Sequence, residues 1–345
     1  MRCARMLCLC LIAALFSAAG PAMAAPAGQT YRLCLFDVAG RQGEIYAIMK
    51  SYQLAALREG IALTMDAFRD EAEAIAAYEA GECDIAGLSD LGIRRYNRFT
   101  GSLSAIGTVP SYPDLKLLLK FLSHPRLARL EKENGHEILG VLPLGAVYLY
   151  VRDASIRTVE ALKGKRVAVL ADHADAEAMI RQVGAVPVPA RISNFAEMFK
   201  RGEVDIVYAP GGAYEVLEMY KGLEPKGGII RFALGQFTLQ LVAREGVFPA
   251  EFVRASRRIM GDMSDDALRK VLAYEAAIPE RWWIDLPERT QTAYLEMIRR
   301  LRLNLEASGV PRTAQVYHPT MLRLLRKIRC HNNPMAAECS AANRE

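Results

Sequence analysis

The sequence predicts a two-lobed α/β protein, each lobe built on a parallel sheet, followed by a mainly helical C-terminal part. Three observations point there. The phrase Gly-Glu-x-Asp-Ile occurs twice, as Gly81-Glu82-Cys83-Asp84-Ile85 and as Gly202-Glu203-Val204-Asp205-Ile206. Before each copy, strand-like and helix-like segments alternate, the order of a parallel sheet with right-handed crossovers. Two long apolar stretches, 138–151 and 229–243, join the regions around the copies. The chain therefore crosses between lobes more than once, as a hinge does and a single linker does not.

The elements follow in order. Arg2 and Arg5, the apolar run 6–19 and Ala22-Met23-Ala24 read as a secretory leader cleaved after residue 24. That run is too short for a typical membrane span, and no later stretch reaches about 18 apolar residues without charges or turn breakers. Residues 31–38 form the first strand. Residues 44–59 carry apolar side chains at helical spacing and stop at Gly60. Residues 61–68 are the second strand, and 70–80 a helix with Asp70 and Glu73 placed as a capping box. Residues 84–88 are the third strand.

Helices are expected at 113–122 and 124–134. The second lobe repeats the first in miniature: a short helix at 159–162, a strand at 166–170, a helix at 174–183, a strand at 186–188, a helix at 194–201 capped by Asn194 and Glu197, and a strand at 205–209. A further helix is expected from 211 to 221. From Pro249 to Lys327 the chain reads as helical, broken near Pro279, Pro287 and Pro311. The domain reading is a leader at 1–24, a first lobe of 25–140 plus about 236–275, a second lobe of 141–235, and a helical segment at 276–345 packing across both. Trp282-Trp283 is expected to lie between the lobes.

Composition narrows the function. The net charge of +5 is small for this length and argues against a nucleic-acid partner. Four cysteines follow the leader, Cys34, Cys83, Cys330 and Cys339, an even number that suits disulfides in an exported protein. Cys330–Cys339 closes a short loop, and Cys34–Cys83 joins two strand-like runs of the first lobe. Gly-x-Ser-x-Gly, the phosphate loop and His-Glu-x-x-His are all missing from the sequence, so catalysis has little support. No cofactor is expected.

In open α/β sheets, ligands bind beyond the carboxyl ends of strands. Asp84 and Asp205 of the repeat are read as structural; the exits after each strand are the candidates. These are Asp37 to Gly40, Leu88-Ser89-Asp90, Ala171-Asp172-His173 and Ala209 to Gly212. Asp37 either binds a ligand amine or hydroxyl, or caps the next helix. Arg41, Arg94 and Arg95 are cations near the exits. Tyr112, Tyr148, Tyr208 and Tyr214 lie near rims or crossings, where a ring with a polar tip suits a mostly apolar pocket. Gln236 is an amide midway along a crossing. Asp172-His173-Ala174-Asp175 reads as a helix N-terminus in preference to a metal site.

Leu162-Lys163-Gly164-Lys165-Arg166-Val167-Ala168-Val169 resembles the opening of the second lobe in type II periplasmic binding proteins. Val183 to Pro189, with Phe195, Glu197, Val204-Asp205 and Pro210, is similar to the DctP-like receptors of TRAP transporters. A narrower resemblance covers nearly the whole mature chain. Cys34-Leu35-Phe36-Asp37, Asn97-Arg98-Phe99-Thr100-Gly101, Gly140-Val141-Leu142-Pro143-Leu144-Gly145-Ala146 and Arg329-Cys330 with Glu338-Cys339-Ser340 resemble the AdeT-like solute-binding family, which carries labels of efflux and aminoglycoside resistance.

The resemblance implies a two-lobed type II receptor fold with a hinge of crossing strands. It implies a periplasmic monomer that captures a small-molecule solute for membrane transporter subunits. An envelope component that binds a protein partner in RND-type efflux, or an enzyme on the same scaffold, are the other readings. Most such receptors for organic acids hold the ligand carboxylate with an Arg, where this chain has Ala168, and with an Asn, where it has Ala209. A simple organic-acid ligand therefore needs another cation, and Arg94 and Arg95 are the best placed.

Overall fold

The computed structural model describes residues 29–171, 173–305 and 316–340. The leader, Asp172 and the break at Pro311 lie outside the described residues. Strand β1 (Thr30–Phe36), helix α1 (Glu44–Arg58), β2 (Ala62–Phe68), α2 (Glu71–Glu79) and β3 (Ile85–Ser89) form the first βαβαβ unit. Short helices α3 (Asp90–Ile93) and α4 (Arg98–Gly101) lead to α5 (Tyr112–Leu122) and the two-residue strand β4 (Lys132–Glu133). The long β5 (His136–Val151) crosses to the second unit: β6 (Arg166–Leu170), α6 (Ala174–Gln182), β7 (Val186–Ala190), α7 (Phe195–Arg201) and β8 (Ile206–Pro210). After α8 (Ala213–Val216) and α9 (Tyr220–Leu223), β9 (Gly228–Arg244) returns. Helix α10 (Ala250–Ala277), the short β10 (Trp283–Ile284), α11 (Glu288–Leu305), α12 (Pro319–Asn332) and α13 (Ala337–Ser340) complete the chain.

The strands follow the order β2-β1-β3-β9-β5-β8-β6-β7. Within each unit the strands are parallel, whereas β9 runs antiparallel to β3, and β5 antiparallel to both β8 and β9. Strand alternation puts successive side chains on opposite faces. Leu33 and Leu35 thus enter one cluster, with α1 and α10, while Cys34 and Phe36 enter another, with α2 and α12. Val167 and Val169 separate from Ala168 in the same way in the second lobe. Helix α12 packs on α5, and α11 on α6.

Both disulfides form: Cys34–Cys83, between β1 and the approach to β3, and Cys330–Cys339, between α12 and α13. Both copies of the repeat do the same work. Gly81 and Gly202 end their helices at φ of 78° and 74°. The Asp84 carboxylate accepts the amide of Arg32 at 2.8 Å, and that of Asp205 accepts the amide of Arg166 at 2.9 Å.

Four expectations are corrected. Residues 124–134 hold only one 3-10 turn, at Pro125–Leu127. Asn134 and Gly135, both at positive φ, then turn β4 back onto β5, the signature of a type I′ hairpin. The helix of 211–221 is split into α8 and α9 by Glu218 at φ 51°. Asn194 makes no helix-capping bond; its side chain accepts the Arg191 amide instead. Trp282 and Trp283 pack against the second lobe rather than between lobes, Trp282 in the cluster of Tyr150 and Ile229 and Trp283 against Tyr148.

Candidate ligand-binding site

A cleft of about 350 Å³ opens where the strand ends of both lobes face each other. One wall is the exit of β1, from Phe36 to Ala39, with the start of α1. The opposite wall is the exit of β8, from Tyr208 to Pro210, with Leu170, Phe195 and Ala213. The floor comes from the crossing strands, at Pro143, Leu144 and Val147 and at Leu234 to Phe237. Their pairing is irregular there. The register passes from Val147↔Gly235 to Leu149↔Ile230, so residues 231–234 bulge out of the ladder. Gly145, at φ 117°, allows another irregularity beside Pro143, and a Cβ there would press on Val271 at 3.0 Å. One face of α10 completes the rim with Ala267, Lys270, Val271 and Tyr274, at helical spacing.

The polar groups are few. Asp37 is buried and fully engaged: its oxygens accept the amides of Ala39 and Tyr46, each at 2.9 Å, the second at the start of α1. Burial pushes its carboxyl pKa up. A Cβ at Gly43 would fall 1.9 Å from that carboxylate, so the glycine makes room for the cap. Glu44 is paired with Lys270 and accepts the Tyr274 hydroxyl at 3.2 Å. Asp90 is fully buried; one oxygen accepts the Thr238 amide at 3.0 Å, and the other meets no well-aligned donor among the described residues. Burial raises its pKa, against hydrogen bonding from the Ser104 hydroxyl and the Thr238 amide and the charge of Arg94. Gln236 donates to the Val109 carbonyl at 3.3 Å, while its own oxygen has no partner among the described residues.

The Tyr208 hydroxyl accepts the Leu170 amide at 3.1 Å and lies 2.8 Å from His173 Nδ1. The Asp175 carboxylate 3.4 Å from Nε2 favours the tautomer with its proton there, which leaves Nδ1 to accept from Tyr208. Burial lowers the His173 pKa to about 4, so the ring is neutral at physiological pH.

Arg94 is not a ligand cation. Its guanidinium holds both oxygens of Asp175, at 3.0 and 3.1 Å, and also donates to the Gly101 carbonyl and Ser104 hydroxyl. Asp175 accepts the Tyr317 hydroxyl as well, at 2.5 Å, and Arg94 holds its carboxyl far below the usual range despite burial. Asp175 sits in the first turn of α6, which agrees with reading this segment as a helix start.

Of the expected residues, Asp37, Tyr208, Ala209 and Gln236 line the cleft, as do Val38, Ala39, Asp90, His173, Pro210 and Gly212 of the expected strand exits. Ala168 packs in the same cluster as Phe195 and Ala209 but stands outside the lining. Arg41 is exposed, 3.4 Å from Asp66. Arg95 lies 3.6 Å from Glu79. Ser89 caps α3 and is bound to Glu71. Tyr112 donates to Glu275 and accepts the Ala146 amide at 3.1 Å. Tyr148 packs on Trp283, and Tyr214 beside Tyr220. Asp172 is outside the described residues. Sequence reasoning did not single out Ser104 or Lys270 as ligand contacts, and it offered Asp90 only as part of the strand exit Leu88-Ser89-Asp90. For Asp90 the signal was present, since an acid follows Ser89 directly at the exit of β3.

Comparison with known proteins matches this architecture. A family model described as solute-binding protein AdeT 1/2 matches residues 53–344. "Probable solute-binding protein AdeT1" of Acinetobacter baumannii is 34% identical over 306 residues, covering 89% of this chain and 99% of that one. "Probable solute-binding protein AdeT2" of the same organism is 27% identical over 239 residues, covering 69% and 98%. Among solved structures, a TRAP periplasmic solute binding protein of Xanthobacter autotrophicus with bound β-D-galacturonate has a TM-score of 0.69 at 14% identity, covering 87% of this chain and 99% of that one. One from Shewanella oneidensis with bound succinate has a TM-score of 0.68 at 12% identity, covering 87% and 98%. At such identities the likeness is one of fold.

Proposed function

Because the chain belongs to the solute-binding protein AdeT 1/2 family, we propose that it is an extracytoplasmic receptor that closes two lobes on one small molecule. The observation that carries this reading is the cleft, lined from both lobes at the carboxyl ends of their strands and mostly by apolar side chains. The lobes are taken as 25–140 with about 236–275, and 141–235. The segment 276–345 bridges them, supported by α11 packing on α6 and α12 on α5. Export through the leader, action as a monomer and delivery to TRAP-type membrane subunits complete the reading. Differential affinity of the solute for the closed state would drive that delivery. Among the described residues no helix is long and apolar enough to cross a membrane, so the proposed transport step belongs to the partner.

A thermal scan of the mature protein against a metabolite library tests this. One chemical class should raise the melting temperature, by about 5 °C at a hundredfold excess over Kd. Ala213→Trp, which fills the cleft, should remove the response. A protein that responds to no solute but co-purifies with an envelope complex would overturn the receptor reading.

A further inference from the structure

The cleft has acceptors to spare and no cation left over. Asp90 and Gln236 are 0% and 1% exposed, and each keeps one oxygen without a well-aligned donor among the described residues. They are neighbours in the fold, because Asp90 holds the amide of Thr238, two residues along β9 from Gln236 and on the same face of the strand. Buried acceptors are normally paired, and two at the lining of one cleft mark the place of a missing donor.

The charges agree. Asp37, Glu44 and Asp90 line the cleft, and Lys270, the cation among the lining residues, is spent on Glu44. His173 is neutral. Arg94 gives both arms of its guanidinium to Asp175, so Arg94, Asp175 and ionised Asp90 together carry one negative charge too many. A carboxylate placed here would be buried beside acids with no free cation to receive it, a costly arrangement. An ammonium reverses each deficit: its N–H groups match the two unpaired oxygens, and its charge is the partner that lets buried Asp90 ionise. The walls, including Leu144, Val147 and Leu234, ask for an apolar remainder.

We propose that the solute is an amine on an apolar body, its ammonium received by Asp90 and Gln236. This rests on the receptor reading above and names the ligand class of that same cleft. It separates this chain from the structurally similar receptors with bound succinate and galacturonate.

Calorimetry with 4-phenylbutylamine, 4-phenylbutanol and 4-phenylbutyrate, three probes sharing one apolar body, is the test. The amine should bind about tenfold tighter than the carboxylate or more, with the alcohol between them. Asp90→Asn, which keeps an oxygen for the Thr238 amide, should lower amine affinity by about tenfold while changing alcohol affinity little. Gln236→Leu gives a second, independent variant should Asp90→Asn fold poorly, with loss expected in the same direction. Carboxylate or alcohol binding as tight as the amine overturns the ligand class and leaves the receptor reading intact, as does an unchanged amine affinity in both variants. Failure of all three probes also overturns the ligand class. The receptor reading falls only if the whole library fails in the thermal scan.

Discussion

Asp84 and Asp205 show what a repeated residue can mean. Each carboxylate accepts the amide at the start of its lobe's first strand, and each amide donates back to the same residue, at 2.9 and 2.8 Å. The repeat is therefore a strand-pairing device, and its acids are consumed by the scaffold. Glu71 is a buried acid of another kind. Its oxygens accept the amide and hydroxyl of Ser89, and burial pushes its pKa from 4.5 up to about 7. A carboxyl whose folded pKa exceeds its unfolded one holds its proton more tightly when folded. Its contribution is complete below the unfolded value and is lost as pH rises through the folded one. We expect the wild type to lose stability relative to Glu71→Gln between about pH 4.5 and pH 7, by roughly 3 kcal/mol. Urea midpoints at pH 4.5, 6 and 8 measure this, and parallel curves for the two proteins would refute it.

At the scale of elements, the two disulfides clamp unequal lengths of chain. Cys34–Cys83 spans a separation of 49 residues and Cys330–Cys339 one of 9. Loop-closure entropy then assigns about 4 kcal/mol to the first and about 2.7 kcal/mol to the second. Replacing each pair by alanines should cost more stability for Cys34/Cys83, as denaturant titration of the two double variants would show; the reverse order would mean that loop length does not govern these bridges. The βαβ units were readable because their periods and glycine stops agree with the fold. The segment 124–134 was not, because its apolar spacing suggests a helix while Asn134-Gly135 turns the chain back on itself. Local turn chemistry prevailed over periodicity there. The face of α10 that reaches the cleft, with Lys270 between Ala267 and Tyr274, is helical in the sequence too, but which face meets the cleft is fixed by packing on β5.

At the scale of the molecule, the buried pair Arg94–Asp175 joins the lobes: Arg94 follows α3, Asp175 opens α6, and Tyr317 reaches them from the C-terminal segment. Removing one partner leaves a buried charge, so Arg94→Met alone or Asp175→Leu alone should cost about 3–5 kcal/mol. The double variant should cost less than the sum, since it removes both charges. Urea titration of the four proteins closes this cycle, and strictly additive losses would show that the two residues act independently. By itself the sequence determined the two α/β units, the crossing strands, both disulfides and the structural role of the repeat, and it named Asp37, Tyr208, Ala209 and Gln236 as candidates at strand exits and crossings. Each of these follows from local pattern: side-chain period, a glycine stop, a paired cysteine or a strand exit. Only the tertiary structure decided which polar groups are spent and which are free. Arg94 looked like a ligand cation until Asp175, 81 residues away, was seen to hold it. That Asp90 and Gln236 lie side by side emerged only when β9 came to lie beside β3. Charge balance in a closed cleft depends on partners far apart in the chain, and burial is what turns those partnerships into selectivity.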